Sequence, residues 1–226
     1  MLVAGIISPH PPILIPEIGG PDTKKVHKTV EALQRVAKEL GHAKPDELII
    51  ISPHQDHGFQ VPMHFLGQHL PPEILITQVL VTEPSYRYYY EFGKTAAARL
   101  NSKRRRYGVV ASGDLSHVLK ADGPYGYNPA GPKLDERIVR AVRGGDAQAL
   151  LGIEADTLEE GAECGLRSIL FLLGVFEGSG FKPHVLSYEG PFGVGYLVAT
   201  LNKPAKDQAR SKAKSKSKTK QPHEPA

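Results

Sequence analysis

Three histidines, His10, His54 and His117, stand in settings that suit chemistry. The first two follow a serine and a proline, in Ser8-Pro9-His10 and Ser52-Pro53-His54, and the third closes Ser112-Gly113-Asp114-Leu115-Ser116-His117. Proline fixes its own φ and restricts the residue before it, so the first two imidazoles leave a stiff backbone with a defined aim. Neutral imidazole is the commonest protein ligand for transition metals, and two histidines with one carboxylate leave open positions at Fe(II) for substrate and oxygen. Glu163, in Gly161-Ala162-Glu163-Cys164-Gly165, is the expected carboxylate, because the apolar run Ile169 to Leu173 follows it and puts it near the start of a packed helix. Glu159 and Glu160 read instead as solvated first-turn residues. His57 is an alternative to His54, and Cys164 reads either as a small buried apolar residue or as a ligand beside Glu163. His117, with Asp114 nearby, suits an acid or base poised near neutral pH, while Asp114 could equally organise its turn. Tyr125 and Tyr127 form an aromatic wall or merely cover their loop.

One histidine beside a proline is usually a turn residue, so the inference rests on what positions the three together. Leu2 to Ile7 is continuously apolar, as in a strand covered on both faces, and ends at a proline-rich turn. Asp22 is the expected cap of a helix carrying Val26, Val30, Leu33, Val36, Ala37 and Leu40 at helical spacing, with Gly41 as its stop. Glu47 to Ser52 is a second apolar strand, and strand, helix, strand is the pattern of a parallel βαβ unit. Further strands are expected at Val61 to Leu66, Ile74 to Val81, Tyr107 to Ser112, Lys182 to Tyr188 and Val194 to Leu201. Helices are expected from Pro84 to Leu100, with Tyr88, Tyr89, Phe92, Ala96 and Leu100 inward, and at Lys133 to Val142, Asp146 to Leu151 and Glu159 to Phe176. The predicted fold is a single α/β domain over residues 1–202, with a central mixed, largely parallel sheet flanked by helices. Each of the three histidines then lies just past a strand end, on the rim where open α/β sheets bind ligands.

Residues 203–226 hold eight Lys or Arg against two acidic residues, which leaves 20 basic and 22 acidic groups in residues 1–202. The basic balance thus belongs to a Lys-rich tail, expected to be disordered, and the body offers no electrostatic reason for specific nucleic-acid binding. A single cysteine excludes an intramolecular disulfide framework and fits a cytoplasmic protein. No secretory leader is expected at the N-terminus, and no apolar run approaches the length of a membrane span. Tyr188-Glu189-Gly190-Pro191-Phe192-Gly193-Val194-Gly195-Tyr196 reads as a tight strand connection; it has no phosphate-loop lysine and opens no helix, which argues against a nucleotide site.

The motifs Ser8-Pro9-His10-Pro11-Pro12, Ile51-Ser52-Pro53-His54, Ser112 to His117, Gly161 to Gly165 and Tyr188 to Gly193, in this order, resemble the class III extradiol ring-cleavage dioxygenases of catalytic B-subunit, LigB-like type, and the related Memo-like proteins. The resemblance spans nearly all of residues 1–202. It implies a non-haem Fe(II) centre with His10, His54 and Glu163 as metal ligands and His117 as the active-site acid or base. The implied substrates are a small aromatic diol of catechol type and O2, with Tyr125 and Tyr127 as substrate-binding candidates. Memo-like relatives have a Cys-Gly where Cys164-Gly165 stands, which implies a His, His, Cys set, Zn or Cu in place of iron, and a metal-binding or regulatory role without ring cleavage. A small partner subunit over the active site is implied as well, and the sequence leaves open a homo-oligomer.

Overall fold

The computed structural model describes residues 1–102 and 104–203; the tail expected at 203–226 lies, beyond Lys203, outside the described residues. Among the described residues, six strands form one sheet in the order β3-β2-β4-β1-β6-β5. They are β1 (Leu2–Ser8), β2 (Glu47–Ser52), β3 (Leu75–Leu80), β4 (Tyr107–Ser112), β5 (Lys182–Glu189) and β6 (Tyr196–Asn202). β1, β2, β3 and β4 run parallel, and the hairpin β5-β6 joins through β6 antiparallel to β1. The single α/β domain with a mixed, mostly parallel sheet is therefore what the sequence predicts.

The helices are α1 (Pro16–Gly19), α2 (His27–Ala43), α3 (Asp56–Leu66), α4 (Tyr86–Asn101), α5 (Ala130–Gly144), α6 (Ala147–Leu151), α7 (Ala155–Gly161) and α8 (Leu166–Phe176). They cover both faces of the sheet, which is why the central strands are apolar almost throughout. Ile49 and Ile51 of β2 pack with Ile7, Val109 and Ala111 against α4, α5 and α8, while Leu48 and Ile50 pack with Ala4, Ile6 and Val110 against α2 and α3. Each fully buried Leu or Ile contributes on the order of 1.5–3 kcal/mol. α8 is buried around almost its whole circumference because it lies between the sheet and α4. Among the described residues no helix is long and apolar enough to cross a membrane.

Four local expectations need correction. Residues 61–66 belong to α3 rather than to a strand: Phe59, Pro62, Phe65 and Leu66 recur at helical spacing and bury together. Asp22 caps nothing; it pairs with Lys25 inside a 3-10 turn (Gly20–Val26), and α2 starts five residues after it without a side-chain cap and runs past Gly41 to Ala43. The inward face of α4 carries Tyr89, Tyr90, Gly93 and Leu100, leaving Tyr88 49% and Phe92 36% exposed. Finally, the helix expected over 159–176 is broken into α7 and α8, and Glu163 and Cys164 sit in the break.

The rotation of α4 has a steric cause. A Cβ on Gly93 would stand 2.1 Å from the Phe171 carbonyl oxygen, and one on Gly174 would stand 2.2 Å from that of Tyr90, so α4 and α8 cross at backbone contact through reciprocal glycines. Gly174→Ala is expected to force the helices apart and cost about 1–3 kcal/mol, read as a lower urea midpoint; stability equal to the parent would refute the close crossing.

Candidate functional site

β4 inserts between β1 and β2, so the C-terminal ends of these three strands adjoin. His10 follows β1, His54 follows β2, and the Gly113 to His117 segment follows β4. The main chain of His10 is anchored by donation from its N–H to Asp114 Oδ1 at 3.0 Å. His54 is set by its own N–H donating to Ser52 Oγ at 3.2 Å. His57 arrives from the first turn of α3, so both alternatives for the second imidazole reach the same place. The ring centroids lie 5.2 Å apart for His10 and His54, 5.1 Å for His10 and His57, and 4.9 Å for His54 and His57. One ring nitrogen from each falls within 4.8 Å of the others, which is within reach of one cation. His10 is buried, His57 half-buried and His54 exposed, so the cluster stands at the mouth of the sheet rim.

Two of these imidazoles, His10 and His54, are held toward their neutral form. Burial pushes His10 down from 6.5 to about 3, helped by His54, His57 and His117 in that order. His54 is lowered too, by burial first and then by His57 and His117. Neutral rings are the ligating form.

A second donor group shares His10. Asp114 Oδ2 lies 3.8 Å from His10 Nε2 and Cys164 Sγ lies 3.6 Å from it. The arrangement is knitted by backbone: the Asp114 carbonyl accepts from Cys164 N and Gly165 N, and Asp114 N–H donates to Cys164 Sγ. Asp114 is pushed up to about 7 by burial, opposed by the His10 N–H. Burial, with Asp114 next, pushes the Cys164 thiol well above its ordinary value, so it stays protonated unless a cation displaces the proton.

His117 lies close to this cluster, with its Nδ1 2.7 Å from the Ala162 carbonyl oxygen. A carbonyl only accepts, so Nδ1 carries the hydrogen and the neutral ring offers Nε2 as a base. Burial lowers its pKa, against the opposing backbone bonds of Ala162 and Leu115. Ala162 takes this place in the left-handed region, φ 50° and ψ 54°, a conformation that costs a non-glycine residue about 1 kcal/mol or more. Tyr125 meets the His117 ring edge-on at 5.3 Å and is 66% exposed. Tyr127 bridges to Leu119 through its backbone, and its ring is exposed.

Glu163 stands apart from both donor groups. Its Oε1 accepts from Tyr86 Oη at 2.9 Å and its Oε2 from the Leu166 N–H at the start of α8. Arg167 lies 4.4 Å over the Tyr86 ring, on the same side. The carboxylate is thus engaged in capping α8, while the thiol of the next residue is the group turned to His10.

A further residue, Asp135, holds the site and had no signal in the sequence. Asp135 of α5 is fully buried; its Oδ1 accepts from Ser116 N at 2.8 Å and its Oδ2 from Tyr188 Oη at 2.6 Å, which fixes the loop carrying His117. A Cβ at Gly195 would stand 2.1 Å from Asp135 Oδ2, so only glycine leaves room for this carboxylate.

Residues 55–199, more than half of the chain, match the family of the catalytic LigB subunit of aromatic ring-opening dioxygenase. The chain is 29% identical to the protein CA_C1420 of Clostridium acetobutylicum over a gapped alignment of 273 positions, covering 90% of this chain and 58% of that relative. It thus spans little more than half the length of that relative. The fold is shared with the crystal structure of the uncharacterized protein JW3007 from Escherichia coli K12, at a TM-score of 0.53 and 12% identity, over 88% of this chain and 100% of that one.

Burial pushes Asp135 up from 3.8 to about 6, with Glu163 adding to it and the bonds from Tyr188 and Ser116 opposing. A raised carboxyl contributes stability below its unfolded value that is lost as pH rises through the folded one. Relative to Asp135→Asn, the parent should therefore lose on the order of 2–3 kcal/mol between pH 4 and pH 7, measured by urea denaturation at each pH. A difference that does not move with pH would show that Asp135 carries no buried charge.

Proposed function

The chain belongs to the family of the catalytic LigB subunit of aromatic ring-opening dioxygenases, and on that premise we propose that it is a non-haem Fe(II) extradiol dioxygenase acting on a small catechol-type diol with O2. The observation that carries this reading is the cluster of His10, His54 and His57, whose ring nitrogens lie close enough to grip one ion. Three imidazoles at an open rim fit a divalent iron that must keep positions free for diol and oxygen. His10 and His54 hold the ion, His57 or Cys164 completes the set, and Glu163 acts beside it through α8 rather than on it. When bound, the iron supplies electron conduction between diol and oxygen.

The protein's own part is proton handling and orientation. His117 is held by Ala162 with Nε2 unprotonated, so it can take the proton of the diol's second hydroxyl and return it to the ring-opened product. Burial keeps its imidazole neutral at pH 7, which is the state a base needs. Tyr125, edge-on to His117, offers an aromatic surface against which a planar diol can lie.

One observation favours a second reading. Cys164 Sγ, 3.6 Å from His10 Nε2, gives the site a soft donor that suits zinc or copper better than oxygen activation at iron. The protein would then be a metal-binding or regulatory member of the family without ring cleavage.

Anaerobic reconstitution with Fe(II), followed by oxygen uptake over a panel of catechols, separates the two: uptake with a yellow ring-opened product is expected, and iron binding without uptake would favour the second reading. His117→Ala should retain iron while turnover falls by about 10²–10⁴-fold, and Glu163→Gln should retain iron stoichiometry. Unchanged turnover in His117→Ala would remove the base assignment; loss of iron in Glu163→Gln would return that carboxylate to the ligand set.

A further inference from the structure

Helix α3 carries a proline in its interior, Pro62. Proline has no backbone N–H, so the carbonyl four residues earlier, that of Gly58, loses its helical partner. Gly58 is buried, where an unmatched carbonyl costs about 1–3 kcal/mol. The Ser112 hydroxyl fills the missing place, donating to the Gly58 carbonyl oxygen at 2.6 Å. Position 58 accepts nothing larger than glycine, since a Cβ there would stand 2.0 Å from Ser52 Oγ; the carbonyl is thereby held close under the ends of β2 and β4.

The direction of this bond is fixed by chemistry. A carbonyl oxygen only accepts and a serine has one hydroxyl hydrogen, so the proton of Ser112 is committed to Gly58. The same Ser112 oxygen lies 3.0 Å from His10 Nδ1, and both residues are buried. With its proton engaged elsewhere, Ser112 meets the imidazole only as an acceptor. Nδ1 must then carry hydrogen, and the neutral ring is left with its lone pair on Nε2. Nε2 is the atom that looks toward Asp114 Oδ2 and Cys164 Sγ, at 3.8 Å and 3.6 Å.

We infer that Ser112 is a positioning residue which fixes the Nδ1–H tautomer of His10, and that the carbonyl released by Pro62 is what holds Ser112 to that role. Four residues from three segments thus act in series: Pro62 frees the Gly58 oxygen, Gly58 takes the Ser112 proton, and Ser112 takes the His10 Nδ1–H. Because Gly58 directly follows His57 in α3, the bond also ties the turn bearing His57 to the strand end that orients His10. Hydrogen-bond partners of this kind, one shell behind a metal ligand, set its tautomer and orientation and raise its basicity. What the exposed lone pair does rests on the metal-centre reading; which nitrogen carries the hydrogen does not.

The test is a long-range ¹H–¹⁵N correlation spectrum of the metal-free, full-length protein at pH 8, with the His10 signals assigned by their loss in His10→Gln. A single Nδ1–H tautomer is expected for His10. Ser112→Ala should lose that fixed tautomer and bind Zn²⁺ about 10–100-fold more weakly by calorimetric titration, while Ser112→Thr, which keeps the hydroxyl, should recover both. An Nε2–H tautomer in the parent overturns the inference, and so does a Ser112→Ala variant with the parent's tautomer and zinc affinity. Should Ser112→Ala fail to fold, the parent spectrum alone decides. A parent that shows the Nδ1–H tautomer but takes up no zinc leaves the tautomer assignment standing and overturns the metal reading instead.

Discussion

Insertion of β4 between β1 and β2 is the constraint on which the site depends. Backbone hydrogen bonding holds neighbouring strands about 4.8 Å apart, a spacing no side chain can alter. Three parallel strands that end together therefore deliver residues 10, 54 and 114–117 to one small volume. The register reinforces this: Ser8 of β1 lies opposite Ser112 of β4, and Gly113 N–H donates to the Ser8 carbonyl just beyond the last ladder pair. A side-chain cluster built this way has its backbone anchored to the sheet beneath it. Loops contribute only the last step, and they too are tied down, by Asp114 to His10 and by Asp135 to Ser116.

Burial then decides the chemistry of the groups that the strands assemble. One environment drives His10 and His54 toward their neutral bases and drives Asp114, Glu163 and Cys164 toward their neutral acids. The imidazole lone pairs are thereby kept available without a counter-charge nearby. Several electron-rich atoms crowded into 4.8 Å repel one another, and a cation among them would offset that repulsion as well as the desolvation of Asp114. The clustering is consequently easier to rationalise as a binding arrangement than as a contribution to stability.

Much of this is legible in the sequence, and the reasons differ by residue. The sheet is covered on both faces, which makes β1, β2 and β4 apolar with little interruption, and the histidines at their ends are placed by that pattern alone. α3 is not legible in the same way: Val61 to Leu66 is a short apolar run, and the proline in it argues against helix on local grounds, while Phe59 and Phe65 bury it as one. His54 and His57 present themselves only as a choice, since a sequence spacing of three does not tell whether both reach one point. Asp135 leaves no trace, because a carboxylate on a helical core face finds Tyr188 and Ser116 only through tertiary structure, and Tyr188, though part of a recognised motif, shows no partner in the sequence.

The case of Glu163 and Cys164 shows how local geometry arbitrates where composition cannot. Both residues offer a metal-binding atom, and both lie in the break between α7 and α8. Left-handed Ala162 turns the chain sharply there, its carbonyl taking two donors from His117, its N–H and its Nδ1–H. The residues after this turn have to start α8, whose first N–H groups lack helical partners. Glu163 supplies an acceptor to Leu166 N–H and a second to Tyr86 Oη, and this fixes its carboxylate on the α4 side. The next side chain is then directed the other way, to the carbonyl and N–H of Asp114 and to Nε2 of His10. The helix start thus sets where the Glu163 carboxylate lies, and the thiol beside it faces the imidazole of His10.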